Sequence, residues 1–505
     1  MRLLKRLLPF LLLSSSAFGA ISAATVWEIR TTGAQTNGGG FVAGATGDDF
    51  SQQDEPEWND LAVTSEGAGT TMLTASADAN MVGNILYVVS GTNATVDRYE
   101  IKSVSAGTSI TTDKNWCTGA CADGVVDIGG ALTFGGLLDD DIGEDFVAGN
   151  TIYIKAGTYT LGEQTTWSSA GSTTAVIKFI GYNTNRGDEP TGTDRPLIAG
   201  GGYYIRVFSY WLIKNIRFSS DTTYVFYISG GDCTVINCKA TAGASSSARA
   251  FYNAAQCVSY FGCEGSCSYT GTSEAFHMGY SDRAVACYAH DAIYGFRPTS
   301  GAVAIIDCIA DSCRYGIGFE GGQQQCVFVG NTIVACLNGF YNTTGSSELF
   351  LNNIITGCYV GAVSNSTYGN NVWDYNCWYN NGTDYTNITA GDNDVTSDPK
   401  LGSAIVEGAD GATDGAGTAF TAASNPFSGV TTSDCLNIVE VGTGATLGVY
   451  PISAVVGDGE LTLSRSAGAN KSGIDYRLVK GSDFTLGAGS SCFNTGLNPS
   501  TYTGL

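Results

Sequence analysis

A solenoid of stacked, parallel β-strand turns, with three short strands to each turn, is the all-β fold this sequence predicts. One column of like residues, Cys238, Cys263, Cys287, Cys308, Asn331, Asn353 and Cys377, repeats at spacings of 25, 24, 21, 23, 22 and 24 residues. A unit of that length is too short for a domain and suits one turn of a solenoid. Two further columns keep step with it. Cys313, Cys336 and Cys358 follow five residues later, and Phe251, Phe276, Phe296, Ile317, Phe340 and Ala362 are spaced 25, 20, 21, 23 and 22. Columns in phase mean short strands that alternate in and out. Composition agrees: charged residues are only 14%, and the 68 glycines, with abundant Ser, Thr and Asn, serve tight corners better than helix interiors.

Residues 1–24 read as a secretory signal peptide. A basic start, Met1-Arg2-Leu3-Leu4-Lys5-Arg6, leads into an apolar run over 7–13 and then small residues at Ala17-Phe18-Gly19 and Ser22-Ala23-Ala24. That core is too short to span a bilayer, so the expectation is a secreted or cell-surface protein without membrane insertion. Residues 25–54 form a lead-in segment, 55–130 a small β module, 131–424 the solenoid, 425–480 a second copy of the module, and 481–505 the exit and C-terminal tail. The two modules rest on an internal repeat. Val88, Gly91, Thr92, Ala94, Thr95, Tyr99, Ile101, Val104 and Thr111 recur at a constant offset of 351 as Val439, Gly442, Thr443, Ala445, Thr446, Tyr450, Ile452, Val455 and Thr462. Such modules can cap the open ends of a solenoid, or bind a glycan or partner.

The columns describe a core. Asn331 and Asn353 at inward corners can hydrogen-bond the turns above and below, forming a ladder. Sixteen cysteines in an exported chain permit disulfides, and neighbouring rungs about 4.8 Å apart allow them. Cys117 and Cys121 can close locally. The column itself is read as stacked thiols acting as small hydrophobes. No Cys-x2-Cys pair occurs and histidines number 2, which argues against structural zinc. A net charge of −23 opposes nucleic acid and anionic membranes and leaves neutral glycans or cations as easier partners. No heptad repeat marks an oligomer.

With these residues in place, the chain resembles the right-handed parallel β-helix proteins of the pectate-lyase-like superfamily, in particular a secreted or phage-associated group without an assigned reaction. The rungs carry the resemblance together with Thr32-Gly33-Ala34-Gln35-Thr36-Asn37-Gly38-Gly39-Gly40-Phe41, Thr151-Ile152-Tyr153-Ile154-Lys155-Ala156-Gly157-Thr158-Tyr159 and Ile180-Gly181-Tyr182-Asn183-Thr184-Asn185-Arg186-Gly187-Asp188. Near the exit stand Asp398-Pro399-Lys400-Leu401 and Asp483-Phe484-Thr485-Leu486 with Ser490-Ser491-Cys492. The resemblance implies a polysaccharide ligand held in an outward groove along the solenoid. It does not supply a reaction. The Trp-x-Asp-His strand of calcium-dependent pectate lyases is missing, since the histidines stand in Ala275-Phe276-His277 and Tyr288-Ala289-His290. The Asn-Thr-Asp and Gly-His-Gly motifs of polygalacturonase-like hydrolases are also missing.

Alternation picks out the outward candidates. Directly after the Phe column come Tyr252, His277, Arg297, Gly318 and Tyr341, with Glu320 nearby. Aromatic faces pack on sugar rings and Arg can neutralise a uronate or orient a hydroxyl. A second cluster joins His290 and Asp291 to Asp311 on the next rung, where a carboxylate beside an imidazole raises its basicity for proton abstraction or acid–base hydrolysis. Catalytic candidates are therefore His277, Arg297, His290, Asp291 and Asp311, and substrate-binding candidates Tyr252, Tyr341 and Glu320. No cofactor is required; Ca²⁺ on Asp291, Asp307 and Asp311 is the one candidate ion. Two readings stay open: a secreted β-helix that binds or processes extracellular polysaccharide as a lyase or glycoside hydrolase, and a non-enzymatic surface, fibre or adhesin-like protein. A phage-type tail depolymerase is a third, weakened by the signal peptide.

Overall fold

The computed structural model describes residues 21–134, 146–167, 170–243, 245–267, 271–319, 325–343, 347–364, 371–399, 401, 404–432, 434–441, 448–464 and 466–480. The signal-peptide core, Glu320 and the exit motifs after 480 lie outside them. Two compact units divide the chain, one of residues 1–28, 32–133 and 145–147 and the other of the remainder.

The first unit contains the first module, a closed antiparallel barrel of six strands: Trp58–Ser65, Thr71–Leu73, Ile85–Ser90, Arg98–Ser105, Ser109–Thr112 and Cys121–Ile128. Closure leaves no open sheet edge. Met72, Met81, Leu86, Val88, Tyr99, Ile101, Ile110 and Trp116 fill its core. The lead-in segment packs beside the barrel strand that starts at Ile85, with Phe41 bridging to Asn84, and the Asn37 amide ties it further by donating to Asp54 O at 2.8 Å and to Ala131 O at 2.7 Å. Its glycine run has a steric cause: a Cβ on Gly38 would lie 1.9 Å from Ile85 O, and Gly39 adopts φ 81° against the Leu132 side chain. Cys117 and Cys121 are both buried and free, so the local bridge allowed by their spacing is not formed.

The second unit holds the right-handed parallel β-helix. Its three sheets run from Thr151–Lys155 to Val372–Asp374, from Thr158–Thr160 to Cys377–Tyr379, and from Thr165–Trp167 to Thr383–Thr386, with one strand of each contributed per turn. Phe251, Phe276, Phe296, Ile317, Phe340 and Ala362 are register partners in the third sheet, as the spacing predicts. Phe251 stacks on Phe276 at 5.0 Å and Phe276 on Phe296 at 4.9 Å. Burying each ring contributes roughly 2–3 kcal/mol.

The cysteine and asparagine column stands at the corner between the first and second sheets. Each member follows a residue in the left-handed region: Asn237, Gly262, Ala286, Asp307, Gly330 and Asn352 have φ of 49°, 58°, 52°, 51°, 70° and 55°. The predicted ladder is present. Asn331 Nδ2 donates to Asn353 Oδ1 at 2.9 Å, and Asn353 Nδ2 donates to Asn376 Oδ1 at 3.1 Å. Asn376, rather than Cys377, continues the column; Cys377 pairs with Ile354 on the adjoining strand. The chemistry explains the shift, since only the amide can bond both to its neighbour and to Phe350 O, 3.1 Å away. The cysteines from Cys117 to Cys377 are free thiols, and all of these but Cys257 are buried.

The second module is also a closed six-stranded barrel: Ala404–Thr413, Ala419–Ala422, Asp434–Val441, Gly448–Gly457, Glu460–Leu463 and Ser472–Lys480. Its circular strand order is the same as that of the first barrel. It begins earlier than the boundary at 425 expected from sequence: its first two strands fall within 131–424, and Phe420 belongs to its core with Leu436, Tyr450 and Tyr476. The sequence identities between the copies lie only between 439 and 462, so they gave no sign of these two strands. No helix among the described residues is long and apolar enough to cross a membrane.

Candidate functional site

The outward face of the third sheet carries two parallel columns, not the single one that strict alternation predicts. The strands from Tyr224–Ile228 to Val360–Ser364 each bury at least two consecutive residues, as in Arg249–Asn253 with its buried Ala250 and Phe251, so further side chains flank that pair on both sides. One column is Arg206, Tyr227, Tyr252, His277 and Arg297 in register, continued after Gly318 by Tyr341. The other is Tyr224, Arg249, Glu274, Tyr294 and Tyr315. Sequence reasoning found His277, Arg297, Tyr252 and Tyr341, and the structure places all four here. It missed Glu274 and Arg249. A charged residue three before Tyr252 and three before His277 was the signal available for them.

Glu274 organises the centre. Its side chain is fully buried, Arg297 Nη1 donates to Oε1, Arg249 Nε lies 3.2 Å from Oε2, and His277 Nδ1 lies 2.5 Å from Oε2. Burial by itself raises the pKa of Glu274, but the His277 bond and the fields of His277, Arg249 and Arg297 outweigh it and hold the carboxyl below its ordinary range. An ionised carboxylate only accepts hydrogen bonds, so Nδ1 carries a hydrogen toward Glu274, while Nε2 faces Thr299 Oγ1 at 3.5 Å.

Aromatic rings extend the strip on both sides. Tyr224 stacks on Tyr252 at 4.5 Å, Tyr252 meets the His277 ring at 4.7 Å, and Tyr315 stacks on Tyr341 at 4.4 Å. The Arg206, Arg249 and Arg297 guanidinium groups lie 5.0, 4.8 and 4.6 Å from the Tyr227, Tyr252 and Tyr294 ring centres.

The second predicted cluster lies on the second sheet. His290 and Asp311 are register partners. The ring nitrogens of His290 are nevertheless taken by other groups, Nδ1 by Asp291 Oδ2 at 2.8 Å and Nε2 by Glu264 Oε1 at 3.2 Å. Asp311 accepts instead from Ser312 Oγ at 2.8 Å and Tyr288 OH at 3.3 Å. Burial lowers the His290 pKa, yet the bonds to Asp291 and Glu264 overcome it and push it up to about 9. The same pairing, with Lys239 at 2.6 Å, overcomes the burial of Glu264 and takes its carboxyl down to about 2. His290 is therefore an imidazolium clamped between carboxylates at neutral pH. The expected role as a proton-abstracting base does not fit it, because neither ring nitrogen has a free lone pair. Among the described residues no group of three or more His, Cys, Asp or Glu side chains is arranged to hold a metal ion, and Asp291, Asp307 and Asp311 form no such group.

Fold and face together define a right-handed parallel β-helix with an aromatic and guanidinium strip on its third sheet and two antiparallel barrels. Compared with family models and with curated proteins, the sequence matches none. Among solved structures it is similar to a rhamnogalacturonan lyase, at 12% identity over 52% of this chain and 85% of that chain, with a TM-score of 0.36. A pectate lyase aligns at 14% identity over 49% of this chain and 74% of that one, with a TM-score of 0.33. The A-module of a mannuronan C-5 epimerase from Azotobacter vinelandii aligns at 11% identity over 46% and 69%, with a TM-score of 0.32.

Proposed function

We propose that this protein is exported and binds a polysaccharide lengthwise along the outward face of the third sheet. One observation carries the reading: tyrosine rings and guanidinium groups are repeated in register from Arg206 to Arg297. A rung spacing of about 4.8 Å is comparable to the length of one pyranose unit, so successive rungs can present like groups to successive sugars. Tyrosine faces pack on sugar rings, and Arg206, Arg249 and Arg297 against the single carboxylate of Glu274 give this strip a local positive excess on a chain of net charge −23. An acidic sugar fits that excess. His277 Nε2 is the position for proton chemistry on the bound chain, with Glu274 fixing the tautomer. Binding without turnover is favoured by a different feature, the saturation of Glu274 by three cationic or imidazole partners.

The test is to incubate the mature protein with neutral and uronic polysaccharides, following retention, reducing ends and the absorbance of unsaturated products. Arg297→Ala or Tyr252→Ala should lower retention. If products form, His277→Ala should abolish them while retention persists. Retention without products identifies a binding face, and a protein that retains no glycan defeats the reading.

A further inference from the structure

At the corner between the third and first sheets lies an open groove of about 580 Å³ that the strip does not use. Its residues follow the third-sheet strands on five successive rungs: Ser209, Ser229, Gln256, Tyr280 and Ser300, with Asp232 between the second and third of these. Four rung steps span roughly 19 Å, room for several sugar rings. The floor is kept low by small residues. Gly230 is obligatory there, since a Cβ would lie 2.2 Å from Ser209 N.

The groove has hydrogen-bonding capacity that the protein itself leaves unengaged. Among the described residues, the Ser209, Gln256 and Ser300 side chains make no hydrogen bond, and the Tyr280 ring is 52% exposed with no ring partner. The charged side chain in the lining is Asp232, exposed, with the Tyr210 phenol beside it. Among the described residues no Lys or Arg lines it. A carboxylate without a neighbouring cation repels uronates and sulfated sugars, whereas it accepts two hydroxyl hydrogens well.

We propose that this groove is a separate glycan subsite that takes a neutral sugar chain, with Tyr280 packing on a pyranose face and Asp232, Gln256 and the serines bonding its hydroxyls. The strip and the groove then select opposite classes of sugar on adjoining surfaces of one solenoid.

Titration calorimetry on the mature full chain tests it, with cellohexaose, mannohexaose and maltohexaose as neutral probes and hexagalacturonate as the acidic one. At least one neutral probe should bind. Tyr280→Ala and Ala255→Arg should each weaken it tenfold or more, while Tyr280→Phe keeps most of the affinity and Arg297→Ala leaves it unchanged. Because Tyr280 is half exposed and Ala255 is on the floor, circular dichroism and melting should match the parent. Absence of binding to every neutral probe overturns the proposal, as does neutral binding that ignores both Tyr280→Ala and Ala255→Arg. Hexagalacturonate binding that needs Arg297 but not Tyr280 separates the two sites. Its failure with the parent protein counts against an acidic ligand for the strip and leaves the groove standing.

Discussion

His277 Nδ1 lies 2.5 Å from Glu274 Oε2, which joins a side chain that alternation selects to one that it passes over. The pair decides both the tautomer of the histidine and the fate of two arginines. Removing the carboxylate should therefore be felt across the whole face.

Glu274→Gln leaves Arg249, Arg297 and His277 without their shared anion and should destabilise the protein by about 3 kcal/mol in urea denaturation. The sign with pH follows from a carboxyl held below its ordinary value of 4.5. Its contribution is present above that value and lost as pH falls through the depressed folded pKa. Stability of the parent should drop more steeply than that of Glu274→Gln below pH 4.5.

His290 gives the opposite slope. Its pKa rises from 6.5 to about 9, so its contribution is fully present below 6.5 and disappears as pH climbs through 9. Melting curves across that window should show a loss of about 2–3 kcal/mol in the parent. His290→Asn should be less stable at neutral pH and nearly flat over the same window; an equally steep loss would rule out His290 as its source.

The corner ladder predicts a graded series at one site. Asn353 Oδ1 accepts from both Asn331 N and Asn331 Nδ2 at 2.9 Å, so Asn353→Leu leaves buried donors unpaired and should lose about 2–4 kcal/mol. Asn353→Cys should lose less, because Cys308 occupies the equivalent place and accepts from Cys287 N at 3.3 Å. Guanidinium chloride midpoints for the two variants provide the comparison.

Ala286 has φ 52° at a corner where Gly330 has φ 70°. An alanine in the left-handed region is held there against its preference, so Ala286→Gly should stabilise the solenoid by about 0.5–1 kcal/mol. A destabilised variant would show that backbone entropy outweighs that strain.

Excising 425–480 divides the second barrel and strips Phe420 of its core partners Phe427 and Tyr476. That deletion should aggregate, as read by light scattering. Excising 404–480, which removes the barrel whole, separates damage inside the barrel from a capping role: aggregation of this cleaner deletion supports capping, and a soluble, equally stable product argues against it.

The solenoid was legible because its core repeats. Phe251, Phe276 and Phe296 are spaced by one turn in sequence and stack directly in space. The asparagine ladder was readable for the same reason, although Asn376 had to be distinguished from Cys377 by hydrogen bonding rather than by residue likeness. The second barrel was half legible. Identity survives in the strands around Tyr450 and is lost in Ala404–Thr413, where pairing with Ser472–Lys480 fixes the fold.

The sequence by itself determined the periodic part of this protein: the stacked turns, their inward columns, and His277 and Arg297 on one outward line. Such features follow from local alternation and from like residues recurring once per turn. Only the tertiary structure decided what those side chains meet. The two-residue inward step in the central third-sheet strands brings Glu274 beside His277 and Arg297, and the second sheet sets Glu264 against His290. Contacts across rungs depend on register between residues more than twenty apart in sequence, as Arg297 on Glu274 and Glu264 on His290 show, and there the carboxylates hold His290 as a cation at neutral pH.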